Sequence, residues 1–158
     1  MLKKVAKKKF QAPTGTFAIV ASEYNDEFVG AMLRAAKATL KAAGAKLRVL
    51  RVPGAYEIPI VASKLARQAA AGKSDLVGII CLGVILRGET VHAAHIGDAV
   101  SRALMRIQLD YEVPVVHEVL LLENRDQARA RCLGKTHNRG TEAAQTALAM
   151  AELMKNIS

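Results

Sequence analysis

Tryptophan is absent from this 158-residue chain, and aromatic residues make up only 4% of it. Proteins that bind nucleic acid or carbohydrate by stacking rely on aromatic rings, so this composition argues against both kinds of surface. Cysteine is equally scarce, with Cys81 and Cys132 as the two examples. The sequence therefore excludes a disulfide framework and a metal site built on paired cysteines.

Long apolar stretches are also missing. The longest, LVGIICLGVIL at 76–86, is well short of the roughly 20 residues that a membrane helix needs. The basic N-terminus is not followed by the apolar segment and small-residue cleavage site of a secretory signal. We therefore expect no membrane partner and a cytoplasmic location.

Acidic residues are in the minority: the chain has 14 of them and 23 lysines and arginines, which gives a net charge of +9. Five lysines within the first nine positions predict a basic arm over residues 1–12, ahead of a single domain over residues 13–158. Such an arm could bind nucleic acid. No aromatic residues alternate with its lysines and no reading helix follows, so we expect a solvated arm and no nucleic-acid partner.

Short apolar segments alternate with amphipathic ones along the rest of the chain. The pattern predicts strands at 17–21, 47–52, 76–82 and 113–122, and helices at about 26–43, 58–71, up to 110, 126–133 and 141–156. Asn25 or Asp26 is expected to cap the first helix. The third strand is almost wholly apolar, as is typical of a central strand covered on both faces. This order predicts a doubly wound α/β fold with a four-stranded parallel sheet and right-handed crossovers.

The ligand site of such a fold lies at the carboxyl ends of its strands. This rule selects the loops at 22–25, 53–59 and 83–95, and the segment after the fourth strand as far as residue 140. In the third loop, Gly88, Glu89 and Thr90 precede a helix, where backbone N–H groups and a hydroxyl favour an anion such as phosphate. Neither GxGxxG nor GxxxxGK[ST] occurs, so dinucleotide and P-loop sites are not expected.

Titratable side chains follow in the same loops. His92 is placed to transfer a proton on a small phosphorylated molecule, although a structural role is the alternative for it and for His95. A metal is not expected, because a convincing site needs three or four donors. Glu57 either caps a helix or meets a ligand's hydroxyl groups. Arg131 lies in a basic segment that is either simply solvated or able to hold phosphate through paired hydrogen bonds.

With these residues assembled, the chain resembles the 6,7-dimethyl-8-ribityllumazine synthases of riboflavin biosynthesis. The resemblance covers almost everything after the lysine arm and rests on FAIVASEYN, VPGAYEIP, GVILRGETVH and ARCLGKTHNRG, in the order of the family. It implies a three-layer, flavodoxin-like fold. It also implies a cofactor-free transferase that condenses 5-amino-6-(D-ribitylamino)uracil with 3,4-dihydroxy-2-butanone 4-phosphate, the penultimate step of the pathway.

The resemblance also implies an assembly and a set of residue roles. The family forms pentamers, alone or packed into hollow shells, with active sites shared between subunits and an N-terminal segment that reaches a neighbour. His92 matches the proton-transfer histidine. The other matches are Tyr24 and Asn25 with the pyrimidine, Ala55, Tyr56 and Glu57 with the ribityl chain, Val84, Ile85 and Leu86 with backbone contacts to the uracil, Gly88, Glu89, Thr90 and Arg131 with the phosphate, and Lys135 and Asn138 with supporting positions.

One stretch departs from the family pattern. In the segment of the fourth strand, this chain has His117 and Glu118 where the family commonly has a phenylalanine and a glycine. Further along the chain, Arg139 replaces a common lysine. The family's phenylalanine covers the substrate ring from a neighbouring subunit, so His117 is expected to bind substrate with altered character. This departure suggests an alternative function: a non-catalytic relative that binds a flavin or a lumazine.

Overall fold

Strands and helices alternate along residues 9–158, the part of the chain that this computed structural model describes. Residues 1–8 of the predicted arm lie outside the described residues. The strands are β1 (Thr16–Ser22), β2 (Lys46–Val52), β3 (Leu76–Leu86) and β4 (Val115–Leu122), and the helices are α1 (Asp26–Ala42), α2 (Ile58–Ala70), α3 (His92–Tyr111), α4 (Arg125–Cys132) and α5 (Arg139–Asn156), with a 3₁₀ turn at Ala55–Glu57.

The four strands form one parallel sheet in the order β2-β1-β3-β4. Helices α1, α4 and α5 pack against one face of the sheet, and α2 and α3 pack against the other. This arrangement confirms the predicted three-layer, flavodoxin-like α/β fold. The chain leaves β1 toward β2 on one side and later enters β3 on the other, so the carboxyl ends of β1 and β3 mark the switch point where ligands bind in such sheets.

Small residues let α1 and α5 approach each other closely on their side of the sheet. Ala144 and Ala147 are fully buried there beside Met32 of α1. Gly140 permits the closest contact, because a Cβ atom at that position would lie 2.0 Å from the carbonyl oxygen of Met32. The start of α5 is thereby fixed against α1, together with the segment that leads into it.

The end of β3 differs from the prediction. The strand was predicted to stop at residue 82 with Gly83 in a loop, which is wrong, since pairing with β4 continues as far as Leu86 opposite Leu122. Gly83 marks tight packing instead, because a Cβ atom there would lie 3.1 Å from a methyl group of Val119. Residues 84–86 therefore belong to a hydrogen-bonded strand end, which gives their backbone groups a fixed position.

No helix within residues 9–158 is both long enough and apolar enough to cross a bilayer.

Candidate active site

A cavity of about 980 Å³ opens at the carboxyl ends of the strands. Its walls come from the turn after β1, the 3₁₀ turn after β2, the end of β3 and the first turns of α3. The volume is at the upper end of the range for small-molecule sites, so it can hold two small substrates together. The lining residues are Tyr24, Asn25, Gly54, Ala55, Tyr56, Glu57, Val84, Ile85, Leu86, Gly88, Thr90, His92, Ala93, His95, Ile96 and Ala99.

Asn25 connects two walls of the cavity, the turn after β1 and the end of β3. Its backbone has a left-handed conformation (φ 57°), which asparagine tolerates better than most residues. Its Nδ2 donates a hydrogen bond of 2.7 Å to the carbonyl oxygen of Val84. Asn25 occupies the N-cap position of α1, as predicted for Asn25 or Asp26, but its side chain makes no capping hydrogen bond because its amide is used across the sheet. Beside it, the Tyr24 ring is 74% exposed and offers a free face to a flat ligand.

The 3₁₀ turn forms the second wall. Glu57 accepts a hydrogen bond of 2.9 Å at its Oε2 from the backbone N–H of Gly54, which confirms the capping role. The side chain is exposed and lines the cavity. Gly54 keeps this arrangement open, because a Cβ atom there would lie 2.8 Å from Glu57 Oε2. Tyr56 next to it is also largely exposed.

Residues 88–90 lie immediately before α3, as predicted for an anion cradle. The hydroxyl of Thr90 accepts a long hydrogen bond of 3.4 Å from the backbone N–H of His92, the first residue of the helix. Gly88, Thr90 and His92 line the cavity, whereas Glu89 does not. A helix of 20 residues adds a partial positive charge at this end, which favours a phosphate group.

Besides Glu89, four of the predicted site residues lie outside the cavity of their own chain. Arg131 is on α4, on the opposite face of the sheet from α3, and donates a long hydrogen bond of 3.4 Å to the carbonyl oxygen of Gln127. His117 is on the edge strand β4, where its Nε2 is 2.9 Å from the Ser101 hydroxyl of α3. Lys135 is exposed in the loop before α5. One copy of residues 9–158 thus does not bring these groups together with His92.

Asn138, the fourth of these residues, has a clear structural role. Its Nδ2 donates to the carbonyl oxygen of Cys132 at 2.7 Å, and its Oδ1 accepts from the backbone N–H of Gly140 at 2.9 Å. The side chain therefore caps α5 and closes the loop that carries Lys135.

The two departures from the family pattern prove to be partners. Glu118 is only 4% exposed, and its Oε1 accepts a hydrogen bond of 2.6 Å from Nε of Arg139, whose Nη1 is 2.6 Å from Glu142. Burial raises the pKa of the Glu118 carboxyl, and the positive charge of Arg139 opposes this effect only in part. Burial lowers the pKa of Arg139, but Glu118 and Glu142 together outweigh it and raise the value. The sequence signal for this pair is the presence of the charged Glu118 in the otherwise mostly apolar strand β4, because a carboxylate there needs a cationic partner.

The cysteines and the possible metal ligands of residues 9–158 do not form a second catalytic or metal site. Burial raises the pKa of both thiols, that of Cys132 to about 12, so neither cysteine is a ready nucleophile. Residues 9–158 contain no group of three or more histidine, cysteine, aspartate or glutamate side chains that could hold a metal ion. His95, for which the sequence left a structural role open, lines the cavity beside His92.

Most of the chain is similar to known proteins of one family. The family model for 6,7-dimethyl-8-ribityllumazine synthase matches residues 14–155. The chain belongs to this family. A 6,7-dimethyl-8-ribityllumazine synthase of Stenotrophomonas maltophilia (strain R551-3) is 38% identical over 144 residues, 89% of this chain and 90% of the relative. One of Xanthomonas oryzae pv. oryzae (strain PXO99A) is 38% identical over 146 residues, 90% of this chain and 92% of the relative.

The family match spans every segment that lines the cavity. The resemblance inferred from the four sequence motifs is therefore confirmed at the level of the family. The roles of individual residues remain predictions.

Proposed function

We propose that this chain is a transferase that condenses 5-amino-6-(D-ribitylamino)uracil with 3,4-dihydroxy-2-butanone 4-phosphate, the penultimate step of riboflavin biosynthesis. The products are 6,7-dimethyl-8-ribityllumazine, phosphate and two molecules of water. The observation that carries the proposal is the cavity itself. In a chain of this family, it joins an exposed aromatic ring, a carboxylate, a helix N-terminus and a histidine at the switch point of the sheet.

Each wall suits one part of the two substrates. Tyr24 stacks on the pyrimidine ring, with Asn25 as its neighbour. The turn at Ala55–Glu57 meets the ribityl chain, and backbone groups of residues 84–86 meet the edge of the uracil. Residues 88–90 hold the phosphate of the ketone. His92 then lies between the phosphate and the reacting amine, where it transfers protons.

The reaction depends mainly on holding the two substrates in the right orientation. An amine of the pyrimidine attacks the ketone and loses water to form an imine, phosphate leaves, and the second amine closes the ring with loss of another water. Fixing both partners supplies on the order of 7–11 kcal/mol. Proton transfer by one histidine adds roughly 10²- to 10⁴-fold in rate.

The positions of Arg131, Lys135 and His117 support a shared site. They lie outside the cavity of their own chain, on α4, the following loop and the edge strand β4. We therefore propose a homo-oligomer, a pentamer or an assembly of pentamers, in which Arg131 of one copy closes the phosphate site of the next. In this proposal residues 13–158 act as one domain, and the protein works in the cytoplasm.

Mixing the two substrates with purified protein and following the absorbance of the lumazine tests this function. We expect product to form well above the spontaneous rate measured without protein. Product at the spontaneous rate would refute the proposed activity, and tight binding of the lumazine in that case would establish the non-catalytic relative instead. Light scattering on the same sample measures the size of the assembly.

A further inference from the structure

A second histidine shares the cavity with His92. His92, His95, Ile96 and Ala99 recur at helical spacing and all line the cavity, so one face of α3 forms its wall. An adjacent face of the helix is buried against the sheet. His95 is therefore placed over the ligand space, one helical turn beyond His92.

The imidazole of His95 has no hydrogen-bond or ionic partner within residues 9–158. Its backbone N–H donates to the carbonyl oxygen of Val91 at 3.2 Å, but the ring does not share in that contact. The next acid on α3, Asp98, is 3.6 Å from Arg102. The side chain of His95 is exposed, and the described residues supply no set of donors for a metal. Both ring nitrogens of His95 are thus available to a ligand in the cavity.

The wall that faces the same space is the 3₁₀ turn. Helix α3 packs against Ala55–Glu57, and that turn lines the cavity with Tyr56 and Glu57. The titratable groups around the cavity are accordingly Tyr24, Tyr56, Glu57 and His92, while β3 contributes apolar side chains.

A chain of hydroxyl groups lying between the turn and α3 needs hydrogen-bond partners on both sides. On the α3 side, Ile96 and Ala99 offer none from their side chains. An imidazole can donate from one nitrogen and accept at the other, which matches the needs of a hydroxyl group. His95 is the residue of this wall, beyond His92, that can serve the polyol.

We propose that His95 is a specificity-determining residue that binds a hydroxyl of the polyhydroxylated chain of the pyrimidine substrate, opposite Glu57. The inference rests on the proposed function for the identity of that substrate. It assigns His95 to recognition of the polyol and leaves the proton transfers to His92.

Three variants test this assignment: His95→Ala, His95→Gln and, as a control on the next turn of α3, Asp98→Ala. Steady-state assays give kcat and the KM of each substrate. We expect His95→Ala to raise the KM of the pyrimidine roughly three- to tenfold, the loss of one neutral hydrogen bond, with kcat and the KM of the butanone phosphate nearly unchanged. His95→Gln retains a donor and an acceptor and should restore most of the affinity. Asp98→Ala should match the parent.

Calorimetry on the same proteins removes turnover from the comparison. The probes are 5-amino-6-(D-ribitylamino)uracil and 5-amino-6-(pentylamino)uracil, which has a side chain of the same length without hydroxyl groups. The parent should bind the first probe more tightly than His95→Ala does, and the two proteins should bind the second probe equally.

An unchanged pyrimidine affinity in folded His95→Ala would overturn the assignment. The same conclusion would follow if the affinity fell equally for both probes, or if kcat fell while KM stayed constant. A parent that binds the pyrimidine but forms no lumazine would refute the proposed function alone, because calorimetry would still decide the role of His95. A parent that does not bind the pyrimidine would refute both.

Discussion

Replacing Arg139 with glutamine should leave the Glu118 carboxylate buried without its cation. Glu118 is 4% exposed and is held at 2.6 Å by Nε of Arg139, the first residue of α5. Its other charged neighbour is Glu142, a further negative charge. The variant therefore removes the one positive charge that is hydrogen-bonded to Glu118 within residues 9–158.

The size of the loss follows from the environment of the pair. Two unit charges about 4 Å apart attract by about 4 kcal/mol at an effective dielectric constant of about 20. Breaking a buried pair by removing one partner typically costs about 3–5 kcal/mol. The side chain of Arg139 is 39% exposed, so solvent screens part of the attraction. We expect Arg139→Gln to lower the free energy of unfolding by about 2–3 kcal/mol at neutral pH.

The loss should depend on pH with a definite sign. Burial raises the pKa of Glu118 in the folded chain, and it should raise it further once Arg139 is gone. Between the unfolded value of about 4.3 and that raised value, the folded variant keeps a proton that the unfolded chain has released. Its stability therefore falls as the pH rises through this window. The deficit in the free energy of unfolding, relative to the parent, should be smaller near pH 4.5 than near pH 8.

Urea unfolding at both pH values measures the effect at one protein concentration. Glu118→Gln is the matched control, because it leaves Arg139 partly exposed and still paired with Glu142. We expect it to cost less than about 1 kcal/mol. The double variant should be close to Glu118→Gln and more stable than Arg139→Gln alone. A deficit of the same size at both pH values, or a double variant no better than Arg139→Gln, would refute this reasoning.

Three further predictions concern the site and its support. His92→Ala should lower kcat by roughly 10²-fold or more but leave measurable lumazine formation, because the other walls still orient the substrates; a parental rate in the absorbance assay would exclude the proton-transfer role. Arg131→Ala should raise the KM of the butanone phosphate about 10- to 100-fold without changing that of the pyrimidine, whereas Arg129→Ala on the same helix should change neither; equal effects of the two variants would contradict a specific phosphate contact. Gly140→Ala should lower the free energy of unfolding, measured in urea, by about 1–3 kcal/mol, because its methyl group would meet the carbonyl oxygen of Met32; parental stability would show that α1 and α5 can separate at no cost.

Most of the fold could be predicted from local sequence patterns. Helical and strand periodicity located each strand and helix, and the wholly apolar run at 76–86 identified the central strand. The end of β3 was missed because glycine favours both loops and tight packing. The pairing of β3 with β4 and the close approach of the Val119 methyl group distinguish the two.

Less of the candidate site could be predicted from the sequence, because its details depend on contacts between residues that are far apart along the chain. The amide of Asn25 bonds to Val84, 59 residues away, in place of the helix end next to it. The orientation of His95 depends on the rotation of α3 about its axis and on the opposite wall of the cavity. Glu118 and Arg139 each looked like an isolated departure, and only the packing of α5 on β4 brings them together.

Mixed assemblies test most directly whether each site is built from two copies of the chain. His92→Ala and Arg131→Ala are dissociated, combined in equal amounts, reassembled and assayed for lumazine formation at limiting butanone phosphate. If His92 of one copy works with Arg131 of the next, about a quarter of the sites in randomly mixed rings carry both native groups, and kcat/KM exceeds the mean of the two variants. Activity equal to that mean at every mixing ratio would contradict the shared site.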